Sequence, residues 1–248
     1  MRKSPEMLDE FKSVIKSVGP LYRTINRFRG FRLNEPTLRR PVSIIGSEYG
    51  AWGVDLSLLG PDSVVYSFGV GEDITFDIGL IEAVDCNVHA FDPTPIAVDW
   101  IAGQTLPEKF HFHPIGVSAI NEEAEFQIPP QKGWHSFSLT ADPGAQQVGS
   151  VKCPVRRLST LMAQFGHDHL DLVKMDIEGF EYPVLDDMIM AAIRPTMLLV
   201  EFHHGCYGIS AEKTHTAVRC LQNYNYRIFW ISDLGREYGF VDLNTIGR

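Results

Sequence analysis

From Val64 onward the chain alternates short apolar runs with helical repeats, and this alternation restricts the fold more than any other feature. Val64-Val65-Tyr66-Ser67-Phe68 is an apolar run that ends in Gly69, and Ile74, Ile78 and Ile81 follow at helical spacing. Asn87 to Asp92 reads as the next strand, with Thr94-Pro95 capping the next helix. Phe110 to Ile115 is a third strand. Glu125 to Ile128 and Ser136 to Leu139 read as an inserted hairpin, and Val151 to Val155 as a further strand. Leu158, Leu161, Met162 and Phe165 mark a helix, Leu170 to Met175 a buried strand, and Phe180, Val184, Leu185 and Met188 another helix. Met197 to Phe202 is again a buried strand, and Tyr226–Ile231 with Tyr238–Leu243 an antiparallel pair. Near-continuous apolar strands separated by helices predict a mostly parallel sheet covered on both faces, an α/β fold.

The first 45 residues read differently. Leu8, Phe11, Val14, Ile15 and Val18 repeat at helical spacing until Gly19-Pro20, and Leu21, Ile25 and Phe28 define a second short helix ending at Gly30. The expected organisation is a helical extension or lid over residues 1–45 and one domain over 46–248. Residues 1–40 carry ten Lys/Arg against four acids, while the whole chain has a net charge of −9. That overall balance argues against a nucleic-acid binder, which needs a basic face. The four cysteines are dispersed, with no Cys-x-x-Cys pair, as in a reduced cytoplasmic protein. No apolar run approaches membrane-spanning length.

Three segments carry chemistry. Ser67-Phe68-Gly69-Val70-Gly71-Glu72-Asp73 joins the first core strand to its helix, where glycines let the backbone approach a ligand. Asp92, 23 residues beyond Gly69, ends the next strand, where a carboxylate can accept from both hydroxyls of a ribose. Together they point to a nucleoside cofactor. Ile74 stands where the dinucleotide fingerprint has its third glycine, which counts against NAD without excluding an NAD(P)-dependent oxidoreductase. The third segment, Asp171 to Glu181, delivers Asp176 and Glu178 to the same sheet edge. Carboxylates there need a cationic partner: a sulfonium, an ammonium group or a metal. His203, two residues after Glu201 at the next strand end, is positioned to accept a hydroxyl proton. The other histidines, His111, His113, His167 and His169, read as structural or exposed.

The chain resembles the FkbM family of class I methyltransferases. The resemblance rests on Tyr66-Ser67-Phe68-Gly69-Val70-Gly71-Glu72-Asp73, Val88-His89-Ala90-Phe91-Asp92-Pro93, Lys174-Met175-Asp176-Ile177-Glu178-Gly179-Phe180-Glu181 and Val200-Glu201-Phe202-His203. It runs from about Tyr49 to His204 and is nearest to the methyltransferase-like branch that carries Ser-Phe-Gly-Val-Gly-Glu-Asp. It implies a Rossmann-like sheet of seven strands, S-adenosylmethionine as donor, and a hydroxyl acceptor on a sugar, glycan or natural product. By the resemblance, Gly69 and Gly71 flank the methionine moiety, Asp92 holds the ribose, Gly116, Val117 and Ser118 lie near the adenine, and Asp176 lies near the amino group or methyl. Ser67, Phe68, Val70, Pro93 and Thr94 complete the cofactor set. Ser67 replaces the acid that many members place before the first glycine, which leaves the cofactor ammonium to Asp73 or Asp176.

Asp176, Glu178 and His203 are therefore the expected catalytic residues. Tyr49 and Trp52 are expected to wall the pocket, with Trp134, Ser136 and His204 as substrate contacts. A divalent cation is compatible with the carboxylates but not required, and no metal ligands are assigned. A non-catalytic cofactor-binding protein and a metallohydrolase using Glu201, His203 and His204 are the remaining alternatives.

Overall fold

The computed structural model describes residues 33–47, 50–127 and 149–246. In chain order the described elements are β1 (Ser43–Ile45), β2 (Trp52–Val54), β3 (Val64–Phe68), α1 (Thr75–Val84), β4 (Asn87–Phe91) and α2 (Pro95–Ala102). They continue with β5 (Phe110–His113), β6 (Gly116–Val117), β7 (Glu122–Gln127), β8 (Ser150–Arg156), α3 (Leu158–Phe165) and β9 (Leu172–Met175). The last are α4 (Glu181–Met190), β10 (Met197–Glu201), α5 (Ala211–Asn223), β11 (Tyr226–Ile231) and β12 (Glu237–Asp242).

Seven strands form one sheet in the order β11-β12-β10-β9-β3-β4-β5. The pairs from β5 through β10 are parallel, and β12 runs antiparallel to both β10 and β11. The Rossmann-like sheet expected from the alternation, with its antiparallel C-terminal pair, is therefore present. Side chains alternate between faces along each strand, and the core divides accordingly. Tyr66, Phe68, Val173, Met175, Leu198 and Val200 pack with Leu161, Leu185 and Leu221 of the helices on one face. Val65, Val88, Leu172 and Leu199 pack with Trp52, Phe76, Leu80 and Ile101 on the other. Among the described residues, no helix is long and apolar enough to cross a membrane.

Helix boundaries follow local chemistry. Thr94 caps α2, its side chain accepting from Ala97 N, with Pro95 in the first turn. Gly166 ends α3 in the left-handed conformation, with φ at 74°. His89 and His113 sit between aromatic rings, and burial pushes their pKa values down to about 3 and about 4. They are neutral packing groups.

Two expectations change. The strand beginning at Glu122 pairs antiparallel with β8, and β6 joins β8 to make a separate three-stranded sheet. The expected hairpin partner, Ser136–Leu139, lies outside the described residues, as do the helices expected within residues 1–30. The boundary at 45/46 falls inside a hairpin, because β1 pairs with β2. Upstream of it, Thr37 N and Leu38 N donate to Ile228 O, and Arg40 Nε lies 2.6 Å from Asp55 Oδ2. Residues 37–45 are thereby tied to the domain by backbone and ionic contacts that sequence periodicity does not register.

The sheet's antiparallel edge is held by Arg194, whose Nε and Nη2 donate to the two Asp242 oxygens at 2.8 and 2.7 Å, while Nη2 also donates to Tyr224 O at 2.6 Å. Asp242 is fully buried. Truncating Arg194 leaves that carboxylate uncompensated, so Arg194→Ala is expected to cost on the order of 3 kcal/mol in urea unfolding. A loss below about 1 kcal/mol would place this pair with solvent-screened surface bridges.

Candidate cofactor and acceptor site

The sheet reverses its winding between β3 and β9, and a cleft of about 1050 Å³ opens at their carboxyl ends. Open α/β sheets bind ligands at such a switch point. One wall is the loop after β3. Gly69 and Gly71 have φ of 84° and 54°. A Cβ on Gly69 would lie 1.8 Å from the backbone oxygen of Asp176, so only glycine lets the ends of β3 and β9 approach. A Cβ on Gly71 would meet nothing within 4 Å and would project into open space.

Asp92 fixes the loop. Its Oδ2 accepts from Val70 N at 3.1 Å and Gly71 N at 2.9 Å, and its Oδ1 accepts from Thr94 N at 2.9 Å and Thr94 Oγ1 at 2.6 Å. These four bonds use the carboxylate's acceptor capacity, so a ribose held by Asp92 must share or displace one of them. Phe68, Val70, Pro93, Thr94, Gly116 and Val117 line the cleft, whereas Ser67 is fully buried and does not. Ser118 is buried but does not line it, its N donating instead to Arg156 O. Trp52 lines the cleft from beneath the loop, with the Lys174 ammonium 5.3 Å from its ring centroid. Asp73 also lines it but braces the approach to α1, with Oδ1 accepting from Thr75 N and Oδ2 from Ser47 Oγ. Those bonds hold its pKa below the usual value despite the opposing effect of burial.

The second wall is acidic. Asp176 and Glu178 follow β9, and Glu201 and His203 end β10, as the parallel pairing requires. His203 is 4% exposed. Its Nε2 lies 3.2 Å from Glu178 Oε2, 3.8 Å from Glu201 Oε1 and 3.9 Å from Asp176 Oδ1, and its Nδ1 lies 3.3 Å from Glu181 Oε1. Burial favours the neutral ring, but Glu178 and Glu181, with the charge on Glu201, outweigh it and push the pKa well above the usual value. Those carboxylates favour the protonated ring, which weighs against His203 accepting a proton directly. Burial, Asp176 and Glu237 together push the Glu201 pKa well up, and burial raises that of Glu237.

Sequence reasoning did not give Glu181 or Glu237 a role. Glu181 stood in the quoted motif, and its apolar surroundings give no signal that it bonds His203 N across the site at 2.8 Å. Glu237 comes from β12, which only the antiparallel return brings to this edge. Tyr207, whose hydroxyl donates to Glu178 Oε2 at 2.5 Å, was also missed. His204 does not line the cleft. It is 2% exposed, with Nδ1 3.4 Å from Thr214 Oγ1 of α5, so the expected substrate contact is not made from this position. Tyr49, Trp134 and Ser136 lie outside the described residues.

Because Asp92 carries the loop, Asp92→Ala should lower both the melting temperature and nucleoside-cofactor affinity. The loss expected for hydrogen bonds to a charged group is roughly 1.5–3 kcal/mol. Differential scanning fluorimetry and calorimetry check it; an unchanged melting temperature would show that the loop holds without this anchor.

The methyltransferase FkbM domain profile matches residues 58–228, more than half of the chain. Two curated relatives are the probable methyltransferase-like protein 24 of Rattus norvegicus, 24% identical over 157 residues, and that of Homo sapiens, 25% identical over 157 residues. Each alignment covers 62% of this chain and 36% of the relative, so the chain spans about a third of their length. Among solved structures, the Methanococcus jannaschii fibrillarin pre-rRNA processing protein aligns over 85% of this chain and 86% of its own at 10% identity, with a TM-score of 0.45. A fibrillarin/Nop5p complex aligns over 73% and 72% at 11% identity, with a TM-score of 0.41. The profile match over the whole glycine-loop and acidic-edge region shows that this chain belongs to the FkbM methyltransferase family.

Proposed function

We propose that this chain transfers the methyl group of S-adenosylmethionine to a hydroxyl of a sugar, glycan or natural product. The observation that carries the reading is the adjacency, in one cleft, of a glycine loop anchored by Asp92 and an edge lined by Asp176, Glu178 and Glu201, in a chain of the FkbM family. Gly69, Gly71 and Asp92 serve the methionine and ribose, and Gly116 and Val117 the adenine. The acidic edge suits a sulfonium cation, because carboxylates this buried need positive charge nearby. In the reaction the acceptor oxygen attacks the methyl carbon in line, the O–CH₃ bond forms as the S–CH₃ bond breaks, and S-adenosylhomocysteine leaves. Alignment of the two reactants is the main contribution.

The hydroxyl proton goes to the carboxylates of the edge. Asp176, with a side chain 34% exposed, is the most accessible of those around His203. His203, held from both nitrogens, keeps the carboxylates in register. A second reading is favoured by one observation: ligand atoms of Asp176, Glu178 and His203 all lie within 4.8 Å of one another. Two carboxylates and an imidazole fit a divalent cation such as Mg²⁺ or Mn²⁺, with Glu181 orienting the ring from behind. Such an ion would supply Lewis acidity to the acceptor hydroxyl.

Three measurements test this. Calorimetry should show binding of S-adenosylhomocysteine and none of NADH; binding of NADH alone would overturn the reading. Asp176→Asn should lower turnover on a responsive acceptor by a factor on the order of 10²–10⁴. Dialysis against EDTA separates the two versions, since full activity afterwards removes the cation.

A further inference from the structure

Two buried side-chain polar atoms among the described residues have no hydrogen-bond partner, Ser67 Oγ and Asp77 Oδ1. They lie together. Ser67, in β3, pairs in register with Lys174 of β9, so both side chains leave the same face of the sheet. Asp77, in the first turn of α1, comes down on that face. The Ser67 hydroxyl stands close enough to bias the Asp77 carboxyl without reaching hydrogen-bond geometry. Ser67 is 0%, Asp77 2% and Lys174 5% exposed. Native interiors rarely leave such acceptors unmatched, and an orphan of this kind points to a donor from outside the chain.

The electrostatics point the same way. Burial pushes the Asp77 pKa up, and its charged neighbours are one ammonium, Lys174, and one carboxylate, Asp73. Lys174 is partly engaged, donating to Gly69 O at 3.3 Å and lying over Trp52. A further cation beside Asp77 would favour its ionised form. Asp77 and Lys174 both line the cleft beneath the glycine loop, where the amino-acid end of the cofactor belongs on the reading above. Asp92 is committed to four donors and Asp73 to Thr75 N and Ser47 Oγ, while Glu72 and Asp176 line the cleft as well but are less deeply buried than Asp77.

We propose that Asp77, from the first turn of α1, receives the α-ammonium of the cofactor's methionyl moiety beneath the glycine loop. This rests on the methyltransferase reading. An ammonium group offers three donors, enough for Asp77 Oδ1 and the Ser67 hydroxyl together. Lys174 acts as a positioning residue, holding the carbonyl of Gly69 and offsetting the carboxylate's charge. The assignment accounts for a Ser67 that is buried and unpartnered at the end of β3.

The test compares S-adenosylhomocysteine with 5′-methylthioadenosine, which lacks the amino-acid end, by calorimetry on the full chain. Wild type should prefer S-adenosylhomocysteine. Asp77→Asn should weaken it by about ten- to a hundredfold, as for loss of a charge-assisted hydrogen bond, and leave 5′-methylthioadenosine within about twofold. Adding Ser67→Asp to Asp77→Asn should restore the preference. Equal weakening of both ligands, a fall in the melting temperature of ligand-free Asp77→Asn, or a folded double variant without restored preference would each overturn the proposal. Failure of wild type to bind either compound would instead overturn the methyltransferase reading itself.

Discussion

The contact between Gly69 and the backbone of Asp176 governs the functional half of this molecule. Phe68 O accepts from Asp176 N at 3.1 Å, continuing the β3–β9 pairing beyond the last strand residues. The chain after β3 must then turn away across the carbonyl of Asp176, which leaves no space for a side chain at position 69. The turn places the amides of Val70 and Gly71 where only Asp92 can receive them, and Asp92 is in place because β4 ends level with β3. The same contact sets Asp176 against the loop, so the acidic edge and the glycine loop become walls of one cleft.

That cleft concentrates negative charge. Asp176, Glu178, Glu181 and Glu201 surround one imidazole, with Glu237 close behind. Adjacent strands of a sheet lie about 4.8 Å apart, so acids that end neighbouring strands cannot avoid one another. Burial makes their mutual repulsion costly, as the raised pKa values of Glu201 and Glu237 record. The same carboxylates favour the protonated form of His203, against the effect of its burial. The arrangement is suited to a cationic ligand, as the proposed sulfonium donor would be.

Legibility in the sequence tracked the range of the interactions. β3 and β9 were readable because they are short, largely apolar runs buried on both faces, a pattern that does not depend on partners. The α2 cap was readable because Thr94 and Pro95 act within one helical turn. Strand pairing was less so: β7 pairs with β8 across residues 128–149, and β1 closes on the domain by pairing with β2. A period-2 run states which face is apolar but does not name its neighbour. His203 was singled out by position, but the groups that set its titration, Glu181 from α4 and Glu178 after β9, are ones that spacing alone does not bring to it.

By itself the sequence determined a doubly covered parallel sheet, a glycine turn at the end of its first core strand, and acids at the ends of β4 and β9. Each follows from local steric rules and from the alternation of apolar side chains. Tertiary structure alone decided how those groups are used. It spent the acceptor capacity of Asp92 on the loop, turned His204 toward α5, and left Asp77 as an acid with an unmatched oxygen beneath the loop. The physical reason is that a carboxylate's role is set by which donors and charges surround it. Those arrive from strands and helices far apart in sequence, and only the packed sheet makes them neighbours.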